Sequence, residues 1–527
     1  MKYLRISLAL AACTLCLVVY QRADIGVHFF ILTCLAAVGL WVPWYRGVVL
    51  MLLGLVGTLL VLIFHTQKMM GGADLFKVIP DLVAVVADTN AGEVKATFFN
   101  LWSPSELLSL LFLATCIALF VALRHTRPAM GPRRMLIGLS LPALVALAAA
   151  PGFVLHKAAT GIDESWRVHA DNIHRIQEKQ SFRWQARADY PGRDTVVLVL
   201  GETTRGDHLG INGYARNTTP RLAQVDGLIS YTQAISNANY TLLSTPIIMT
   251  RSTGQAENLV FPETSLISAY KEAGYTTHYV SYLDKVDKGG SFIDQMASEA
   301  DFYHKSVPGV DGLEDLAGLA LMRSIVSQAD EKKLIVFKMI GSHLNFQDRF
   351  SDAFNYFRPS YRDVIYTGPQ PEQSHILVNS YDNSIRVTDY VLAELIEQLT
   401  TLPGRTSLSF VSDHGTALFE DGQSSYGGFT RYNYDIGLLF WFAEGYFDAD
   451  KVNNLRRHRH ARIDTTCVLD TLLSITSIRT PRKKGCDLTH NEFIPLRKRE
   501  VAMRGGAVDY DAYFGLPPMV ARSAGSD

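Results

Sequence analysis

Long apolar runs are confined to the first 156 residues, and beyond them apolar positions come in short bursts separated by polar stretches. Five runs, about 4–20, 26–43, 47–64, 106–123 and 135–155, come close to the roughly 20 apolar residues that cross a bilayer. Lys2 and Arg5 precede the first run as they would in a signal peptide. No small-residue cleavage site follows and four more runs do, so it reads as an anchor. Arg46 lies between the second and third runs, and Arg124, Arg127, Arg133 and Arg134 between the fourth and fifth. The positive-inside rule puts these on the cytoplasmic side, which leaves loop 65–104 and everything after about His156 outside. Residues 1–156 are thus expected to form an N-terminal α-helical transmembrane bundle of five spans.

The remainder has the pattern of a globular domain. Thr195 to Leu200, Tyr275 to Tyr282, Lys333 to Ile340, Leu408 to Ser412 and Tyr434 to Phe442 read as strands. Leu377 to Leu399 has helical periodicity, and a second helix start is expected between Ser236 and Thr250. Strands alternating with helices predict an α/β sandwich with a largely parallel sheet over residues 191–527. Residues 157–190, with Trp166, Phe182, Trp184 and Tyr190, read as a linker helix lying on a membrane surface or packing against the domain. The tail from about 495 has no clear periodicity and is expected to be loosely ordered.

Composition adds two constraints. A net charge of −1 over 527 residues leaves no electrostatic footprint for nucleic acid, so no nucleic-acid partner is expected. Of the cysteines, Cys13, Cys16, Cys34 and Cys116 lie in apolar runs, and Cys467 and Cys486 lie in the outer domain. An oxidising compartment would permit a disulfide between those two.

The candidate chemistry lies at strand ends. Thr195 to Leu200 runs through Gly201 into Glu202, Leu408 to Ser412 into Asp413-His414-Gly415, and Lys333 to Ile340 into Gly341-Ser342-His343. In open α/β sheets, ligands collect at the carboxyl ends of strands. A glutamate, an Asp-His pair and a histidine at three such ends suggest one oxygen and nitrogen site for a divalent metal. Thr241 stands among small hydroxyl residues ahead of the predicted helix, where first-turn N–H groups suit a phosphate or sulfate. A hydroxyl there can act as nucleophile if a metal lowers its pKa. Lys288, beside two glycines, reads as an anion contact or as part of a solvated charge run. Asp88 to Glu93, including Thr89 and Asn90, is an outer loop between two spans that reads as solvated or as a surface for a lipid head group.

Gly201-Glu202-Thr203, Asn212 to Pro220, Gly341-Ser342-His343, Tyr381-Asp382-Asn383-Ser384 and Ser412 to Gly415, in this order after five spans, resemble the phosphoethanolamine transferases of Gram-negative envelopes. These belong to the alkaline phosphatase superfamily. The resemblance implies a bacterial inner-membrane enzyme with a periplasmic, sulfatase-like catalytic domain. It implies transfer of phosphoethanolamine from phosphatidylethanolamine, with release of diacylglycerol, to lipid A, a core sugar or another envelope glycan. Thr241, five positions before Pro246, corresponds to the nucleophile that forms a phosphothreonine, and Glu202, Thr241, Asp413 and His414 to the ligands of one tight Zn2+. A second zinc is left open. His343 and Lys288 match positions at the substrate phosphate or a second metal, and Thr89, Asn90 and Glu93 match a loop associated with the lipid donor.

Two departures concern the acceptor. Tyr426 stands where some members carry a further histidine, and Asn237 and Ile247 stand where lipid A-selective members bracket the nucleophile with cysteines. Core sugars are therefore as eligible as lipid A. The competing readings are a metal-dependent phosphodiesterase or sulfatase of the same superfamily, a lipoteichoic acid synthase, and a non-catalytic envelope scaffold.

Overall fold

The structure is a computed structural model that describes residues 182–253, 263–282, 292–306, 313–328, 330–364, 371–422, 424–425, 428–446, 449–482, 485–490, 498–503 and 506–517. All of these belong to one compact unit. The five expected spans, Thr89, Asn90, Glu93, Lys288 and Tyr426 lie outside the described residues. Among the described residues, no helix is long and apolar enough to cross a membrane.

In chain order the principal elements begin with β1 (Asp194–Gly201), β2 (Ile229–Tyr231) and α1 (Thr241–Met249). Next come α2 (Leu266–Glu272), β3 (Thr276–Ser281), α3 (Phe292–Glu299) and β4 (Phe302–Lys305). They are followed by α4 (Glu314–Val326), β5 (Lys332–Lys338), α5 (Ser374–Thr400) and β6 (Arg405–Ser412). The last are β7 (Leu438–Phe442), α6 (Ala449–His458), α7 (Val468–Ile475), β8 (Glu500–Met503) and β9 (Gly506–Asp509).

Seven strands form the main sheet in the order β2-β7-β6-β1-β5-β3-β4. The five from β6 to β4 run parallel, as their alternation with helices requires. The sheet expected as largely parallel is nonetheless mixed, because β7 runs antiparallel to both β6 and β2. Among the described residues no long crossover helix separates β6 from β7, and the chain returns in the opposite sense.

Alternate residues of β1 serve two cores. Val196, Leu198 and Leu200 pack with Ile248 of α1, Leu266 of α2, Met296 of α3 and Leu469 of α7. Val197 and Val199 pack with Met322 of α4 and with Ile385 and Leu392 of α5. Being buried on both faces is what makes β1 an unbroken β-branched and aliphatic run. The result is a three-layer sandwich, and β1 at its centre carries Glu202 just past its last residue.

Two peripheral segments differ from expectation. Residues 182–190, the end of the segment read as a linker, run extended, with a short strand at Arg187–Ala188. Trp184 is buried there, donating its indole N–H to Thr264 Oγ1 at 3.1 Å beneath the Arg251 guanidinium. The tail is ordered over its described part. β8 and β9 pair as a hairpin that buries Val501, followed by a short helix, Tyr510–Tyr513. Strands of four residues are too short to leave a legible period. Cys467 and Cys486 are joined by a disulfide, with Cα atoms 4.5 Å apart.

Candidate metal centre

The adjacent ends of β1 and β6 bring Glu202 and Asp413-His414 together, since Gly201 pairs with Ser412 in the parallel register. Among the described residues, Glu202, Asp413 and His414 form the group whose ligand atoms could share an ion, lying within 4.8 Å of one another. His414 Nε2 is 3.3 Å from Glu202 Oε1 and 3.9 Å from Asp413 Oδ2. Its Nδ1 lies 2.8 Å from the Gly415 carbonyl. Donation there turns Nε2 toward the carboxylates.

Thr241 opens α1 beside this group. Its hydroxyl donates to Glu202 Oε2 at 3.1 Å and lies 3.5 Å from His414 Nε2. The preceding Tyr240 is extended and accepts at its carbonyl from Leu243 and Ser244, so Thr241 stands at the first position of α1, at the helix's positive end. Thr241 is partly exposed, whereas Glu202, Asp413 and His414 are buried, which leaves the hydroxyl as the open side of the pocket.

Asn237, at the position of the bracketing cysteine noted above, is held instead by hydrogen bonds. Thr465 Oγ1 donates to its side-chain oxygen at 2.6 Å, and its amide donates to the Glu500 carbonyl at 2.6 Å. Ala502 N donates to its carbonyl at 2.8 Å. The C-terminal hairpin therefore braces the segment leading into Thr241.

The loop after β1 is pinned from several sides. Asp413 Oδ1 accepts from the backbone N–H groups of His414 at 2.7 Å and Thr203 at 3.1 Å. Tyr381 of α5 donates its hydroxyl to the Thr203 carbonyl at 2.7 Å and accepts from Arg205 N at 2.8 Å. Thr203 is itself left-handed, at φ 55°. Across the loop, Gly341 has φ 48°, and a Cβ there would stand 2.7 Å from the Glu202 carbonyl oxygen. Glycine is required both by that approach and by its backbone conformation. The buried Asp315 carboxylate accepts from Ile340 N and Gly341 N, each at 2.8 Å, and burial pushes it up to about 6.

Lys338, the last residue of β5, completes the pocket, and in the sequence it reads only as part of an apolar strand. Its Nζ lies 2.7 Å from Glu202 Oε2 and 3.6 Å from Asp413 Oδ2, and it is 3% exposed. Burial opposes charge on Glu202, but Lys338 and His414 more than offset it and hold the carboxyl well below the usual range. Burial and Glu202 push Asp413 up. Burial is likewise overcome at His414, which Asp413 and Glu202 raise to about 9.

His343 follows Gly341 on the loop after β5, close enough to interact electrostatically with Glu202 and His414. Burial, opposed by Glu202 and reinforced by Arg349, His414 and Lys338, holds its imidazole down to about 4, so it is neutral at pH 7.

The residues present suit a divalent cation. Asp413 Oδ2 is buried with no hydrogen-bond partner. It faces a second carboxylate, an imidazole nitrogen and a hydroxyl, the hard oxygen and nitrogen set that zinc accepts in tetrahedral coordination.

Fold and site together define an alkaline-phosphatase-type α/β domain. The family model described as Sulfatase matches residues 194–478, just over half of the chain, and the chain belongs to that family. It is 28% identical over 269 residues to the Kdo(2)-lipid A phosphoethanolamine 7''-transferase of Salmonella typhimurium, covering 49% of this chain and 45% of the relative. It is 26% identical over 312 residues to phosphoethanolamine transferase EptA of the same organism, covering 56% and 55% of the two chains. The chain spans about half the length of the curated relatives it matches.

Among solved structures it resembles the integral membrane lipooligosaccharide phosphoethanolamine transferase A of Neisseria meningitidis, with a TM-score of 0.58 at 20% identity over 86% of this chain and 88% of that one. The periplasmic domain of EptC from Escherichia coli in complex with Zn has a TM-score of 0.53 at 20% identity, over 62% and 95%. These structural likenesses are of fold.

Proposed function

We propose that this chain is a phosphoethanolamine transferase. In this reading Glu202, Thr241, Asp413 and His414 hold one Zn2+, and Thr241 carries the transferred group as a phosphothreonine. The observation that carries it is the approach of a partly exposed helix-opening hydroxyl to within 3.1 Å of Glu202 and 3.5 Å of His414, inside a buried carboxylate and imidazole pocket. The similarity to lipid A phosphoethanolamine transferases supports the choice of transferred group. The donor is phosphatidylethanolamine, and the acceptor is lipid A, a lipopolysaccharide core sugar or another envelope glycan. The protein resides in a Gram-negative inner membrane, held by five spans, with its catalytic domain in the periplasm.

A bound zinc supplies Lewis acidity, lowering the pKa of a ligating hydroxyl and offsetting phosphate charge. The chain's own residues do the rest. Glu202 Oε2 accepts the Thr241 proton in the hydrogen bond already formed, which aims Oγ1 outward. Attack by Oγ1 on the donor phosphorus forms the phosphothreonine and breaks the bond to diacylglycerol, whose oxygen takes up the proton Thr241 gives up; an acceptor hydroxyl then displaces Thr241, its proton passing to the threonine oxygen. The positive N-terminal end of α1 stabilises charge on the non-bridging oxygens. His343 and Lys288 act at the substrate phosphate, and Thr89, Asn90 and Glu93 meet the lipid donor. His343 is neutral at pH 7, so it acts as a hydrogen-bonding partner there and not as a fixed charge.

The test is diacylglycerol release from phosphatidylethanolamine vesicles by the zinc-loaded full-length chain. The wild type should release it and Thr241→Ala should not, with zinc held at saturation for both and the metal-free forms melting alike. Equal release by both would overturn the assignment of Thr241. Release of free phosphoethanolamine with no acceptor modified would favour the hydrolase reading.

A further inference from the structure

A lysine is almost never buried without a partner, and Lys338 lies where three strands end. On β5 it stands opposite Leu200 of β1, and from there it reaches Glu202 beyond β1 and Asp413 beyond β6. Its three donors face Glu202 Oε2 at 2.7 Å, the Gly201 carbonyl at 3.4 Å and Asp413 Oδ2 at 3.6 Å. Two carboxylates that share a dry pocket repel each other, and a cation between them lets both stay charged.

We propose that Lys338 is the resident counter-cation of this pocket, a positioning residue that holds Glu202 and Asp413 in ligating geometry before the ion arrives and weakens the ion's hold in exchange. The inference rests on the metal reading above. Lys338 holds Glu202 Oε2, while Oε1, which accepts from Thr203 Oγ1 at 2.8 Å, stands 3.3 Å from His414 Nε2 as the oxygen offered for ligation. The charge count follows. With His414 neutral, as a ligating imidazole is, two carboxylates and one ammonium leave the pocket at −1, so a divalent ion brings it to +1 before the Thr241 proton leaves. A net positive pocket suits an anionic phosphodiester, whereas the same ligands without the lysine would end neutral. The disadvantage is that a fixed ammonium stands beside the place of a second cation and repels it.

This role differs in sign from a merely structural one. Loss of a structural lysine would deform the pocket and weaken metal binding. Loss of a counter-cation should destabilise the metal-free protein and tighten metal binding, because the ion then relieves the repulsion the lysine had relieved.

The experiment uses the full-length chain in detergent, stripped with a chelator and titrated with zinc against a chromophoric competitor at neutral pH. Lys338→Met and Lys338→Gln are compared with wild type, and Asp413→Asn reports whether the measured zinc sits in this pocket. Both lysine variants should bind zinc about tenfold more tightly or better. Their stripped forms should melt lower, and zinc should raise their Tm by more than it raises that of wild type. If Lys338→Met does not fold without metal, Lys338→Gln decides, since its amide keeps a donor to Glu202. Unchanged or weaker zinc binding in the variant that folds would overturn the inference and leave the metal reading standing. A wild type with no zinc sensitive to Asp413→Asn would overturn both.

Discussion

Replacing Tyr381 by phenylalanine deletes one oxygen atom and should loosen the loop that presents Glu202. Tyr381 is fully buried, and its hydroxyl bridges the Thr203 carbonyl and the Arg205 N–H. The ring would stay put, since edge contacts to His208 at 5.2 Å and Phe346 at 5.1 Å do not involve the oxygen. Two buried backbone groups would then lose a partner, each at a cost of about 1–3 kcal/mol. Water entering the vacated position would recover part of that, so we expect a loss of about 3 kcal/mol. For a domain of this size that is a fall in Tm of roughly 4 °C. Because Thr203 N also donates to Asp413 Oδ1, zinc affinity should fall with stability. Thermal melts of zinc-loaded and chelated protein, with a zinc titration, measure both. A variant within about 1 °C of wild type that binds zinc equally well would show that the bridge does not hold the loop.

Three further outcomes follow from other parts of the fold. Asp194 is buried and accepts from Arg405 at 2.6 Å and from Tyr275 at 2.6 Å, so Asp194→Ala strands the guanidinium and should cost about 3–5 kcal/mol in urea unfolding. The double variant with Arg405→Leu should recover part of that loss. Burial, with His304 beside it, holds the His278 imidazole down to about 4, below the unfolded value, so the unfolded chain binds more protons across the interval between. Stability should therefore rise with pH from about 4 to about 6.5 and be complete above it, and melts of His278→Phe over that range should show a flatter rise. Asn237→Ala removes two hydrogen bonds to Thr465 and Glu500 and should cost about 2 kcal/mol, with faster protease cleavage around the C-terminal hairpin.

How much of this was legible in the sequence depended on burial. β1, β5 and β6 are covered on both faces, so each carries a burst of mainly apolar residues, Val196 to Leu200, Leu334 to Phe337 and Leu408 to Val411, and the polar residues beyond each burst stand out. That is why Glu202, Asp413 and His414, which the fold brings into one group, stand out in the sequence as strand-end residues. The same logic concealed Lys338, because a charged residue within an apolar run reads as a strand's edge and nothing local says it points at a carboxylate. Tyr381 was visible only as part of a motif, and Asp315 gave no signal, since its partners Ile340 and Gly341 are distant in sequence. The antiparallel course of β7 is likewise a property of its connection, which residue pattern does not encode. Around Trp184 the aromatic and basic residues suit a membrane surface and a domain's flank equally, so the sequence does not decide between them.

The central claim is that Thr241 carries phosphoethanolamine during turnover, and the most direct test is intact mass. Full-length protein loaded with zinc would be incubated with phosphatidylethanolamine, without acceptor, beside Thr241→Ala. The account predicts a phosphoethanolamine-sized increment on the wild type, mapped by fragmentation to Thr241, and none on the variant. An increment on Ser244 or Thr245, or one that persists in Thr241→Ala, would contradict it.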